Sequence, residues 1–294
     1  MKSEHAKRTP AGGHERKDIM DFIEQLPFVT TQMSVTTHAG LLSSGTGFFF
    51  AFDYNKGTEK ECYTPLLITN RHVLEGASCV EIKITKGTGG KPSVGNTLSF
   101  SFDHAERLTI FHPNPSVDLA AIMIGPIMQQ YHESLFVPYL SPTEIANEDE
   151  MKDINVMHDV IMIGYPDGIS DTTNHMPIFR KGITATRPDL DYNGEKVFLI
   201  DASCFPGSSG SPFMAYDIGA ILSSSGIVSF GRKMRLIGIQ SKVFLHDSSG
   251  NIVPMKVPTQ TSLGVVTQIP NNIGIAVKAS CIMDFEPLIP CVPR

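Results

Sequence analysis

Short apolar runs, broken every few residues by Gly, Pro, Asn or Asp, recur along most of this chain. GTGFFFAF, YTPLLIT, VEIKIT, TLSFSF, LTIFH and VDLAAIMI form a first set, and DVIMIGYP, IFRKGITAT, KVFLID, SPFMAY, GIVSF, MRLIGIQSKVFL and NIGIAVKA form a second. Runs of this length, rich in β-branched and aromatic residues and bounded by turn formers, predict strands. Between the sets, 141–153 (SPTEIANEDEMKD) is acidic and poor in apolar residues, as a connection between two lobes would be. A helical period occurs in 15–26, where Ile19, Phe22, Ile23 and Leu26 recur at spacings of three and four. A second short helix is expected at 280–288. The strands do not alternate with helices, which argues against a parallel α/β sheet. Two successive sets of short strands predict an all-β chain of two antiparallel barrels. The expected division is a polar segment with its helix (1–27), a first barrel (28–140), a linker (141–158), a second barrel (159–288) and a tail (289–294). The Phe48-Phe49-Phe50 run is read as barrel core plus one outward ring. The Ser/Gly-rich stretch 217–233 is read as a long loop, either gating a cleft or plain.

Composition narrows the function classes. With 294 residues and 41 % hydrophobic content the chain can bury a real core, and 18 % charged residues argue against global disorder. A formal net charge of -6 disfavours nucleic-acid or anionic-membrane binding, which needs clustered Lys and Arg. The start, MKSEHAKRTPAGGHERKD, lacks the apolar core of a secretory signal, and no apolar run approaches the roughly 18 residues of a membrane span. A cytoplasmic location is therefore expected. The five cysteines, Cys62, Cys79, Cys204, Cys281 and Cys291, form no CxxC pair and are read as thiols; a Cys62–Cys79 bridge is the conceivable exception.

Three segments carry candidate chemistry. CFPGSSGSP (204–212) packs three serines and two glycines between two prolines: a flexible loop, or a nucleophile in an anion-binding turn. A serine hydroxyl is a weak nucleophile and needs a base, itself held in the correct tautomer by a third group. His72 follows the apolar run YTPLLIT directly, in ITNRHVL. Asp118 opens the apolar run VDLAAI, where a lone carboxylate is costly to bury without a donor. Taken singly, the plainer readings are a turn histidine and a strand-start aspartate.

In this order, ITNRHVL, VDLAAI and PGSSGSP resemble the chymotrypsin-fold (trypsin-like) serine proteases, within them the bacterial HtrA-like and glutamyl endopeptidase branches. The likeness extends over about 28–288: Gly45-Thr46-Gly47-Phe48, Gly164-Tyr165-Pro166, Gly182-Ile183-Thr184-Ala185, Ile237-Gly238-Ile239-Gln240 and Asn272-Ile273-Gly274-Ile275-Ala276 each resemble a strand of that fold. The His-Asp-Ser order rejects an α/β-hydrolase. The resemblance implies two six-stranded barrels with short N- and C-terminal helices. It implies His72, Asp118 and Ser209 as catalytic residues of a serine endopeptidase working through an acyl-enzyme. It also implies the backbone N–H groups of Gly207 and Ser209 as an oxyanion hole. Ser203, six before the nucleophile, would lie at the floor of the specificity pocket, and Gln240 beside it. Both are uncharged, so a neutral or polar substrate side chain is expected.

No metal or cofactor is expected. His104 and His112 have no spaced carboxylate or cysteine partner, and His132-Glu133 lacks the second histidine of a zinc motif. Arg180 and Lys181 are read as ordinary strand-edge charges. Nothing after the protease-like region, which ends at about 288, is long enough for a PDZ-type domain, so none is expected, and the first strand region lacks the pattern of a cleaved, salt-bridging new N-terminus. The expected partner is a protein or peptide substrate, with a regulatory protein as a further possibility. The competing class is a catalytically latent, protease-like peptide-binding module; an esterase is a minor third.

Overall fold

Each apolar run named above contributes to a strand in the computed structural model, which describes residues 21–54, 62–222, 228–251 and 264–290. The first sheet holds β1 (Thr30–Thr37), β2 (Leu42–Tyr54), β3 (Cys62–Thr69), β4 (Ala77–Thr88), β5 (Lys91–Asp103), β6 (Thr109–Phe111) and β7 (Ala120–Met123). Their order is β5-β4-β1-β2-β3-β7-β6, antiparallel throughout. The second group is β8 (Asp159–Gly164), β9 (Ile178–Thr184), β10 (Val197–Asp201), β11 (Pro212–Leu222), β12 (Val228–Asn251) and β13 (Gly264–Lys278). It closes as a barrel in the order β10-β13-β12-β11-β8-β9. The double-barrel expectation holds, with the three-residue β6 as a seventh strand in the first sheet.

Alternation along β2 builds two of the three cores. Phe48, Phe50 and Phe52 point into a cluster shared by both lobes, where they meet Ile163, Met214 and Leu236 of the barrel and Ile282 and Phe285 of the terminal 3-10 helix Ala279–Leu288. Phe49 points the other way, into the first lobe's own core with Met33, Leu67 and Ile82. No ring of the 48–50 run therefore faces solvent, because both faces of β2 are covered. Val160, Met162, Phe198, Phe213 and Ile237 fill the barrel.

Local patterns explain the other departures. β1 was not legible as a strand, since TTQMSVTT has only Met33 and Val35 as apolar inward residues while Thr30 and Thr31 are buried hydroxyls. The 217–233 stretch is largely paired strand rather than loop: Asp217 faces Lys233 and the ladder runs on to Leu222 and Val228, with 223–227 outside the described residues. At the N-terminus a one-turn helix, Phe22–Gln25, runs into a 3-10 turn, Leu26–Phe28; residues 15–20 of the expected helix lie outside the described residues. Cys79, Cys204 and Cys281 are free thiols, so no Cys62–Cys79 bridge forms. Among the described residues no helix is long and apolar enough to cross a membrane.

The expected acidic linker contains a helix, Glu148–Asp153, with a full capping box: the Asn147 side chain accepts from the Asp149 and Glu150 N–H groups, and Glu150 accepts from the Asn147 N–H. Glu150 also accepts from Arg235 of β12 at 2.7 Å and faces Lys233 at 3.3 Å, tying the connection to the barrel. Burial pushes the Glu150 carboxyl upward, but the bonds from Arg235, Asn147 and Lys233 together hold it below its ordinary 4.5. A carboxyl lowered on folding adds stability above its unfolded value and loses it as pH falls through the folded one. Glu150→Gln is therefore expected to be less stable than wild type in urea at neutral pH, with the gap closing well below pH 4.5. Asn147→Ala should cost about 1 kcal/mol through the lost cap, in the same measurement.

Candidate active site

β3 ends at Thr69, and the chain turns at once into a single helical turn, Arg71–Leu74. Asn70, fully buried, donates its amide to the Asp118 carbonyl at 2.8 Å, so the turn is fastened to the segment that enters β7. Arg71 fixes the other side: its guanidinium donates to the His112 carbonyl at 2.8 Å and lies 4.7 Å from the Phe111 ring centroid. His72 is thereby held at the mouth between the two sheets, with its side chain 41 % exposed.

His72 and Asp118 meet twice. The His72 backbone N–H donates to Asp118 Oδ1 at 3.0 Å, and ring Nδ1 lies 2.7 Å from Oδ2. Burial raises the Asp118 carboxyl more than any other single influence. The His72 ring bond and charge, the Ser241 hydroxyl and the His72 N–H together overcome this, and the carboxyl lies below its ordinary 3.8. An ionised Asp118 can only accept, so Nδ1 carries the ring proton and Nε2 is left as an acceptor. That Nε2 is 3.0 Å from Ser209 Oγ. The Ser209 hydroxyl has a second acceptor, the Ser241 carbonyl at 3.2 Å.

The three serines of the 204–212 turn separate cleanly. Ser208 and Ser211 are completely buried; Ser208 Oγ faces the Phe205 N–H, and Ser211 Oγ has no partner among the described residues. Ser209 alone is partly exposed and in reach of a histidine. The two glycines are required by the backbone. Gly207 has φ +85° and a Cβ there would meet the Tyr165 carbonyl at 2.6 Å; Gly210 has φ +88° and a Cβ would strike the Thr46 carbonyl. The N–H groups of Gly207 and Ser209 donate to no acceptor among the described residues, whereas those of Ser208, Gly210 and Ser211 are all bonded.

Ser203 and Gln240 both lie beside this turn. Ser203 is half-buried and its carbonyl accepts from Arg180 at 2.6 Å. Gln240 is 2 % exposed and its side chain is already engaged: Nε2 donates to the Lys242 carbonyl at 2.8 Å, and Oε1 accepts from the Cys204 thiol at 3.1 Å. Burial pushes that thiol up to about 12, so it stays protonated.

Three contributors escaped the sequence reading. Ser241 donates to Asp118 Oδ2 at 2.5 Å, and its only signal was its place directly after Gln240. Thr46, at the centre of Gly45-Thr46-Gly47, bonds the turn on both sides. Arg180 is no ordinary edge charge: besides its bond to Ser203 it lies 5.0 Å from the Phe205 ring centroid, clamping the segment that leads into Gly207. Arg180→Ala removes a charged hydrogen bond and a stacked cation, and is expected to cost roughly 2 kcal/mol in urea denaturation. It should also slow the reaction of Ser209 with a fluorophosphonate. A variant as stable and as reactive as wild type contradicts the clamp.

The model of the trypsin-like peptidase domain matches residues 45–221, more than half of the chain and a span that includes His72, Asp118 and Ser209. Among solved structures, the HtrA-type protease AlgW with a tripeptide is similar at 14 % identity over 90 % of this chain, with a TM-score of 0.48; the chain spans 61 % of the length of that structure. The active form of the Rv3671c protease from M. tuberculosis is similar at 15 % identity, covering 98 % of this chain and 94 % of the other, with a TM-score of 0.47. The tobacco etch virus protease in complex with product is similar at 12 % identity, covering 81 % and 78 %, with a TM-score of 0.43. No curated protein matches the sequence significantly. On the family match over residues 45–221, this chain belongs to the trypsin-like peptidase domain family.

Proposed function

We propose that the protein cleaves peptide bonds with Ser209 as nucleophile, His72 as general base and acid, and Asp118 as the group that orients and charges His72. The observation that carries this reading is the continuous line Asp118 Oδ2, His72 Nδ1 at 2.7 Å, His72 Nε2, Ser209 Oγ at 3.0 Å, ending beside two unbonded N–H groups. Ser209 Oγ attacks the substrate carbonyl carbon while its proton moves to His72 Nε2. The carbonyl oxygen takes up negative charge and is met by the Gly207 and Ser209 N–H groups. His72 returns the proton to the leaving amine as the C–N bond breaks, leaving an acyl ester on Ser209. Water, deprotonated by the same Nε2, then attacks the ester and restores the serine. Asp118 keeps its negative charge throughout and stabilises the imidazolium, consistent with its lowered carboxyl.

This reading is favoured over a peptide-binding module because a module that only binds has no use for an aligned proton path. Ser203, Cys204 and Gln240 are proposed as floor and wall of the pocket for the substrate side chain. The Gln240 amide is engaged on both ends and the Arg180 guanidinium is held by the Ser203 carbonyl, so a neutral or polar substrate side chain is proposed. The HtrA-like branch, a bacterial source and a reducing, cytoplasmic setting are part of the same proposal; the free thiols of Cys79, Cys204 and Cys281 fit the last.

A fluorophosphonate probe tests the assignment. Wild type and Ser208→Ala should label, and Ser209→Ala should not. On a cleavable peptide, Ser209→Ala should lose turnover by a factor on the order of 10⁶. Equal labelling of wild type and Ser209→Ala would refute the nucleophile.

A further inference from the structure

His112 follows β6 directly and opens the loop that leads through Asp118 into β7. It is 2 % exposed, and the reaction proposed above makes no use of it. Its main chain joins the segments that carry His72 and Asp118. The N–H donates to the carbonyl of Leu119, next to Asp118, at 3.1 Å. The carbonyl accepts from Arg71, next to His72, at 2.8 Å.

The ring reaches further. Among the described residues Nε2 faces only acceptors, the Cys281 carbonyl at 3.2 Å and Asp284 Oδ2 at 3.1 Å, so it carries a proton. Both partners belong to the terminal helix Ala279–Leu288, whose Phe285 ring stands edge-on to the imidazole with 5.6 Å between centroids. Asp284 lies 172 positions away, a carboxylate partner that no local spacing announces. Nδ1 is left to accept, and the Asn114 N–H lies 3.1 Å from it. The Asn114 carbonyl, 3.2 Å from the same nitrogen, already accepts from the Val117 N–H at 3.1 Å.

Asn114 shapes the loop. Besides the Val117 bond, its side-chain oxygen accepts from the Ser116 N–H at 3.0 Å and the Ser116 hydroxyl at 2.8 Å. Residues 113–116 are all exposed, so no core packing holds this tip. Pro113 and Pro115 have no N–H, so the Asn114 N–H is the one main-chain donor across 113–115, and it goes to the His112 ring. The far end of the same loop sets Asp118 Oδ2 2.7 Å from His72. We infer that His112 is a positioning residue for the Asp118–His72 pair, anchored on the terminal helix through Nε2 and acting on the Asp118 loop through Nδ1. The inference rests on the peptidase reading and adds to it a link between that pair and the terminal helix.

The test is the reaction of full-length protein with a fluorophosphonate, with Ser209→Ala alongside, each variant taken at a temperature where circular dichroism shows it folded. His112→Phe keeps a ring against Phe285 and loses both nitrogen bonds. His112→Asn loses the bonds to the helix but keeps an oxygen near the Nδ1 position to accept from Asn114. Both should be less stable than wild type in urea. His112→Phe should lower the limiting labelling rate at least tenfold, with the half-saturating probe concentration unchanged, and His112→Asn should recover most of that rate. His112→Gln can still donate to the Cys281 carbonyl but is too long to accept from Asn114. It should label as slowly as His112→Phe, and it keeps the test open if the Phe variant does not fold. Phe or Gln variants labelling like wild type, or an Asn variant labelling as slowly as they do, would overturn the proposal. Wild-type labelling that survives Ser209→Ala would instead remove the peptidase reading beneath it, so the two failures are distinguishable.

Discussion

Thr46 is the point on which the site depends. It is completely buried and uses every polar atom it has. Its N–H donates to the Ser209 carbonyl at 2.8 Å, and its hydroxyl donates to the Gly207 carbonyl at 2.9 Å. The same hydroxyl accepts from the Tyr165 N–H at 3.1 Å, and its carbonyl accepts from the Thr69 hydroxyl at 2.8 Å. One residue of β2 thus ties together the turn that carries Ser209, the end of β8 and the end of β3, just before His72. Two sheets that could slide on their shared apolar core are fixed here by directional bonds. Hydrogen bonds this deep are expensive to leave unmade, so they select one arrangement of the turn.

That fixed turn explains how a partly exposed site keeps Ser209 within hydrogen-bond distance of His72. His72 has little packing of its own; its position comes from Asn70, Arg71 and Asp118. Asp118 in turn is held by Ser241, and the Ser241 carbonyl also meets Ser209 Oγ. Arg180 braces the far side of the turn at Ser203 and Phe205. The negative charge on Asp118 survives partial burial because four donors or positive influences face it, and it is what makes a charged His72 tolerable.

Much of this was legible in the residues. The strand runs stood out because their apolar residues face cores, and ITNRHVL, VDLAAI and PGSSGSP stood out because small or polar residues interrupt apolar runs at particular points. β1 was missed for the opposite reason: its buried positions Thr30 and Thr31 are hydroxyl-bearing, and their burial depends on partners such as the Lys83 carbonyl, 52 positions away. Thr46, Ser241 and Arg180 were opaque for the same cause. Nothing local marks a threonine, a serine or an arginine whose role is set entirely by tertiary partners. The Gln240 amide, placed by the resemblance beside the specificity pocket, is bound to neighbours that only the folded chain brings near.

The central claim is that Ser209 is reactive because buried hydrogen bonds through Thr46 hold its turn in place. The most direct measurement compares fluorophosphonate labelling rates of wild type, Thr46→Ser and Thr46→Val, each at a temperature where circular dichroism shows the variant folded. The account predicts that Thr46→Ser, which keeps the hydroxyl, labels at near the wild-type rate. Thr46→Val keeps the shape but leaves the Gly207 carbonyl and Tyr165 N–H unpaired, and should label at least tenfold more slowly. A folded Thr46→Val protein labelling as fast as wild type would contradict it.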